Sequence, residues 1–109
     1  MSETETLERV LRLVSQGEIL ISSHGYDELA DDEITVREVL AGVAASVVVD
    51  DYPECVKGPR VLVLQSDAAG QPIHVVWGIP KGTSSPAVVV IGYRPDPERW
   101  SNDFLRRKP

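Results

Sequence analysis

Residues Gln71–Trp100 read QPIHVVWGIPKGTSSPAVVVIGYRPDPERW. Two apolar runs, Ile73–Ile79 and Ala87–Tyr93, flank Lys81-Gly82-Thr83-Ser84-Ser85. Val, Ile, Trp and Tyr dominate both runs, the composition a pleated and at least half-buried surface favours. Gly82, Ser84, Ser85 and Pro86 supply the break, so the stretch predicts a β-hairpin in the middle of an antiparallel sheet. Setting Trp77 opposite Val89 puts Ile73, Val75, Trp77 and Ile79 on one face with Tyr93, Ile91, Val89 and Ala87. His74 then falls on the other face, near Gly92 and Arg94. A slip of one residue would reverse these faces.

Working back from the hairpin, Arg60–Gln65 and Val47–Tyr52 read as two further strands. The first ends in an Asp67-Ala68-Ala69-Gly70 turn, where glycine supplies a positive φ. Pro53 stops the second. The N-terminal half is helical. Leu7, Val10, Leu11 and Val14 recur at helical spacing, with Ser2 or Thr4 as cap, Ser2–Glu5 as a capping box and Gly17 as the stop. His24–Ala30 is a short helix capped by Ser22 or Ser23. Thr35 and Glu38 spell a capping box ahead of Val36, Val39, Leu40 and Val43, and Ala44–Ser46 closes that helix. Between the first two helices, Glu18–Ser22 is either an edge strand or an extended lead-in. Asp96–Trp100 reads as a helical turn, and the basic tail Arg106–Pro109 as frayed. Helices followed by strands predict an α+β domain. Its helices pack on one face of a four-stranded, or with Glu18–Ser22 five-stranded, antiparallel sheet.

At 109 residues the chain makes one domain with a single core. Its one cysteine, Cys55, excludes a disulfide framework and a zinc-ligand spacing, has no base beside it in sequence, and suits a reducing cytosol. The N-terminus is unlike a signal peptide, and no apolar run approaches the roughly 20 residues of a membrane helix. A cytoplasmic location follows as the expectation. The net charge of −6 is uneven: residues 1–54 carry thirteen acidic and three basic side chains, residues 55–109 four and eight. The total argues against nonspecific nucleic-acid binding. The asymmetry leaves room for one basic face, or means only that acids solvate the helices.

There is no P-loop, GxGxxG, HExxH or GxSxG, and no cofactor is predicted. Asp31-Asp32-Glu33 and Asp50-Asp51 lack an EF-hand pattern and read as solvated carboxylates, so no metal is predicted. The candidates for acid–base work near neutral pH are His24 and His74. The plainer role of His24 is a hydrogen bond that fixes its helix entry; that of His74 is a satisfied histidine of the core or of the sheet face. Cleavage of RNA also needs a cation on the charged phosphorane. Arg94, with Tyr93 as a further polar group, is chemically able to serve. Lys57, Arg60, Lys81 and Arg99 are the other cations near the sheet. Tyr93 could equally pack, and Arg94 and Arg99 could pair with Asp96 and Glu98. Trp77 and Trp100 read as packing residues.

ISSHGYDELADDEIT, VVVDDYPE, GPRVLVLQSD, GQPIHVVWGIPKGT and PAVVVIGYRPDPERW together resemble a bacterial domain family of unknown function. The resemblance spans about Ile21 to Trp100. That family is similar in pattern to the RelE and MqsR class of toxin folds. The resemblance implies an endoribonuclease toxin that needs no metal, neutralised by a small antitoxin of the zinc-finger, helix-turn-helix type. By position, His24, His74, Tyr93 and Arg94 take its recurrent polar places. One departure matters. Tyr26–Glu33 holds no cation where relatives of this kind often carry arginines, so RNA would be repelled from this helix: either it approaches the basic C-terminal half, or the protein does not cut RNA. Two other readings stand beside the toxin. One is a noncatalytic module of the same fold whose acidic surface takes a basic protein partner; the other is a homodimer through a sheet edge or the first helix.

Overall fold

The computed structural model describes residues 4–109. The Ser2 cap and the Ser2–Glu5 capping box lie outside them. Thr4 is the cap: its side chain accepts the Leu7 N–H at 3.2 Å and starts α1, Glu5–Ser15. Leu7, Val10 and Leu13 bury the inner stripe of α1, while Leu11 and Val14 flank it half-buried. Gly17, at φ +75°, turns the chain out of α1 into β1, Ile19–Ile21. Ser22 caps α2, Ser23–Asp31, and Thr35 caps α3, Val36–Gly42. The α3 box is complete: Thr35 Oγ1 accepts the Glu38 N–H and the Glu38 carboxylate accepts the Thr35 N–H. A 3-10 turn, Val43–Ala45, ends it.

Four strands follow, β2 (Val47–Tyr52), β3 (Arg60–Ser66), β4 (Pro72–Gly78) and β5 (Ala87–Tyr93). They run as an antiparallel meander, as the hairpin reading requires. The sheet is nevertheless mixed and five-stranded, in the order β1-β5-β4-β3-β2. Glu18–Ser22 is the edge strand of the two alternatives, and it lies parallel to β5, with Leu20 opposite Val88. An all-antiparallel sheet is therefore corrected. The helices between β1 and β2 return the chain so that β5 closes beside β1 in the same direction.

Trp77 does face Val89, but β5 then carries a bulge: Val76 pairs with Ile91, leaving Val90 without a partner. One extra residue reverses the alternation beyond it. Tyr93 consequently leaves the face of Trp77 and stands opposite His74, and Ile91 stands opposite Val76. The inner face of the sheet holds Val61, Val63, Ile73, Val75, Trp77, Ala87 and Val89 under Leu7, Val10, Leu29, Ile34 and Val39. Gln65 bridges layers there, donating to the Val39 carbonyl at 2.8 Å and accepting the Trp77 indole N–H at 3.4 Å.

At its N-terminus α2 hugs the edge of β5. The Ser22 N–H and hydroxyl donate to the carbonyls of Val89 and Val90. A Cβ on Gly25 would meet those oxygens at 2.8 and 3.0 Å, so the approach requires glycine. Asp96–Trp100 is a single helical turn capped by Asp96, as its residues predict: the Asp96 carbonyl accepts from Arg99 and Trp100, and its carboxylate accepts from Glu98. The tail is not frayed. Ser101 and Lys108 donate their N–H groups to Arg106 and Arg99, folding the chain back so that Arg107 faces Trp100.

Candidate functional site: a basic cleft beside β5

The folded-back C-terminal segment covers one end of the outer sheet face, and His74 lies under it. Its ring is fully buried. Trp100 packs edge-on against it at 4.4 Å between centroids, and Tyr93 at 5.4 Å. Nε2 lies 2.9 Å from the Phe104 carbonyl, which only accepts, so Nε2 carries the hydrogen. Nδ1 is then an acceptor for the Tyr93 hydroxyl, 3.2 Å away. Burial pushes the imidazole pKa below its ordinary value; the Arg107 charge acts the same way and the Phe104 carbonyl opposes them. Burial also raises the Tyr93 phenol, helped by Glu28 and Tyr52 and opposed by Arg107. At neutral pH both groups are uncharged.

On the solvent side of Tyr93 opens a cleft of about 620 Å³. Arg94, Arg99, Arg107 and Lys108 line it against Asp96 and Glu98, with Tyr93 and Trp100 in its wall. Arg94 is partly spent: its guanidinium pairs with Asp67 at 2.9 Å and donates to the Asp32 carbonyl at 3.1 Å. Hydrogen bonds from the Gln71 N–H and from Arg94 hold the Asp67 carboxyl below its ordinary pKa. Arg99 reaches Asp96 only at 3.8 Å and is 84% exposed. Arg107 lies 4.9 Å over the Trp100 ring and 4.0 Å from Asp50. Arg99, Arg107 and Lys108 are thus the cations most open to an incoming anion.

Of the eight residues singled out from the sequence, Tyr93, Arg94 and Arg99 line this cleft, and His74 lies buried behind Tyr93. The other four lie elsewhere. His24 is 75% exposed on α2 with its ring 3.5 Å from Glu28. Lys57 and Arg60 line a separate groove, with Gly78, Val88 and Val90, and Lys81 sits in the turn after β4. Trp100, Arg107 and Lys108 were missed as site residues. Their signal was the turn-forming Ser101-Asn102-Asp103, whose side chains reverse the tail: Asp103 accepts from the Ser101 hydroxyl and the Leu105 N–H. Among the described residues no three His, Cys, Asp or Glu side chains gather in a way that could hold a metal ion, and no helix is long and apolar enough to cross a membrane.

Family comparison gives a match over residues 21–99 to the domain of unknown function DUF4258, and the chain belongs to that family. Neither a curated protein nor a solved structure matches it.

Proposed function

We propose that the protein is a toxin-like endoribonuclease that works without a metal, with the cleft as its RNA site. The observation that carries this reading is Tyr93, its hydroxyl paired with the buried His74, in the wall of a cleft with four cations. The resemblance in pattern to RelE and MqsR toxins supports it, as does the basic C-terminal half of the chain. Arg99, Arg107 and Lys108 hold the scissile phosphate and stabilise the phosphorane. The Tyr93 hydroxyl takes the proton of the ribose 2′-OH as its own proton passes to Nδ1 of His74. The 2′ oxygen bonds to phosphorus, the bond to the 5′ oxygen breaks, and that oxygen takes a proton from water; the hydroxide left behind takes the Tyr93 proton as Nδ1 of His74 returns its own to Tyr93, which restores the neutral pair. The products are a 2′,3′-cyclic phosphate and a 5′-hydroxyl. A small antitoxin of the zinc-finger, helix-turn-helix type is the proposed neutralising partner, and the cytoplasm the proposed location.

Purified protein with RNA, free or on ribosomes and with metals chelated, tests this. Cleavage that Tyr93→Phe abolishes is expected. No cleavage of either substrate by the wild type would rule it out. A second reading, a noncatalytic module binding a protein partner, is favoured by the complete burial of His74, which keeps every imidazole out of the cleft wall. A stable protein partner recovered by pull-down, with no RNA cleavage, would favour it.

A further inference from the structure

The inner face of the sheet is roofed by three helices; among the described residues the outer face is roofed by the C-terminal segment over His74 and Tyr93. Beyond that cover the strands present Val76, Val88, Val90 and Ile91, all half-buried, and Leu20 of the edge strand, 56% exposed. The Val90 bulge aims an extra apolar side chain here: a Cβ on Gly78 would touch Val90 Cγ2 at 3.3 Å. At the β3 side this surface dips into a groove of about 270 Å³ over Gly78, Val88 and Val90, rimmed by Lys57 and Arg60. Among the described residues neither cation is in an ion pair. The rim is also tied to the end of β4 by backbone hydrogen bonds. The Lys81 N–H donates to the Lys57 carbonyl at 3.1 Å, and the Ile79 N–H to Pro59 at 3.1 Å. Gly58, at φ +116°, lies so close to the Ile79 carbonyl that no Cβ fits.

An apolar strip bounded by two unpaired cations is complementary to an element with an apolar stripe and a carboxylate flank. We infer that the uncovered outer face docks an acidic amphipathic helix of a protein partner. Its apolar stripe lies over Val76, Val88 and Val90, and its carboxylates meet Arg60 and Lys57. Such a helix completes the third layer that a sheet with two apolar faces calls for. From β1 to β3 the strip spans three strand spacings, about 14 Å, which about ten helical residues cover. The inference does not depend on RNA cleavage.

The test is nuclear magnetic resonance of the full chain titrated with a synthetic peptide of about fifteen residues, long enough to form helix on a surface. It carries Leu at i, i+3, i+4 and i+7 and Glu elsewhere; a sibling carries Lys in place of every Glu. Saturable shifts at Leu20, Gly78, Val88 and Val90 are expected with the Glu peptide. Affinity for the Lys sibling should be weaker by about tenfold, the scale of losing two exposed charge pairs and gaining repulsion. The double variant Lys57→Glu, Arg60→Glu should reverse that order; Lys57 is exposed and Arg60 half-buried at the rim, and the wild-type comparison decides alone if the variant does not fold. Equal affinity for the two peptides, shifts confined to other surfaces, or no saturable binding would overturn the inference. Shifts at these residues on raising protein concentration without peptide would assign the face to a second copy instead, and overturn it equally.

Discussion

One imidazole joins the sheet to the tail. His74 accepts from Tyr93 and donates to Phe104, so the fold holds it neutral. Its folded pKa lies below the ordinary value of 6.5, so the unfolded chain binds more protons below that pH. Stability contributed here is fully present above pH 6.5 and falls as pH drops from there through the folded pKa. Urea denaturation should show the loss as the pH falls below 6.5, and His74→Gln should flatten that slope. A slope unchanged in the variant would place the titration elsewhere. At neutral pH His74→Ala should cost about 2–4 kcal/mol, because it leaves a cavity and two polar groups unpaired. The sequence placed His74 on the correct face. It left core and sheet-face burial both open, because the Phe104 carbonyl that satisfies the ring lies 30 residues away in a segment with no strand or helix signal.

At the level of elements, the caps and glycines were legible because their signals are local. Ser22, Thr35 with Glu38, and the Asp67–Gly70 turn all sit as their residue types require. Thr35→Ala should lower stability by about 1 kcal/mol in thermal or urea unfolding. Gly25→Ala should cost more, about 1–3 kcal/mol, because the new methyl meets backbone carbonyls that cannot yield. A neutral effect would mean α2 can lift off β5. The bulge at Val90 was not legible: three consecutive valines give no mark of which one is extra. That single residue decides whether Tyr93 packs in the core or meets His74. The parallel pairing of β1 was equally hidden, since a three-residue strand carries no sign of its direction.

For the whole molecule, charge is segregated: the acids lie mainly in the helical half and the cations mainly in the strands and tail. If three cleft cations bind phosphates, the logarithm of RNA affinity should fall with the logarithm of salt at a slope of about −2, the value for three contacts on a single strand. Removing the cations in the triple variant Arg99→Ala, Arg107→Ala, Lys108→Ala should bring that slope near zero; an unchanged slope would place the RNA elsewhere. The α+β class was legible from the order of helices and strands alone, and the cleft only in part, because half of its cations come from a segment whose fold depends on Trp100 docking over His74.

The most direct measurement follows end-labelled single-stranded RNA with chelator present, comparing the wild type with Tyr93→Phe. Cleavage to 2′,3′-cyclic phosphate ends by the wild type, with binding retained and cleavage lost in the variant, is the predicted result. A wild type that leaves the RNA intact, or a phenylalanine variant that cuts it as fast, would contradict a catalytic role for the tyrosine–histidine pair.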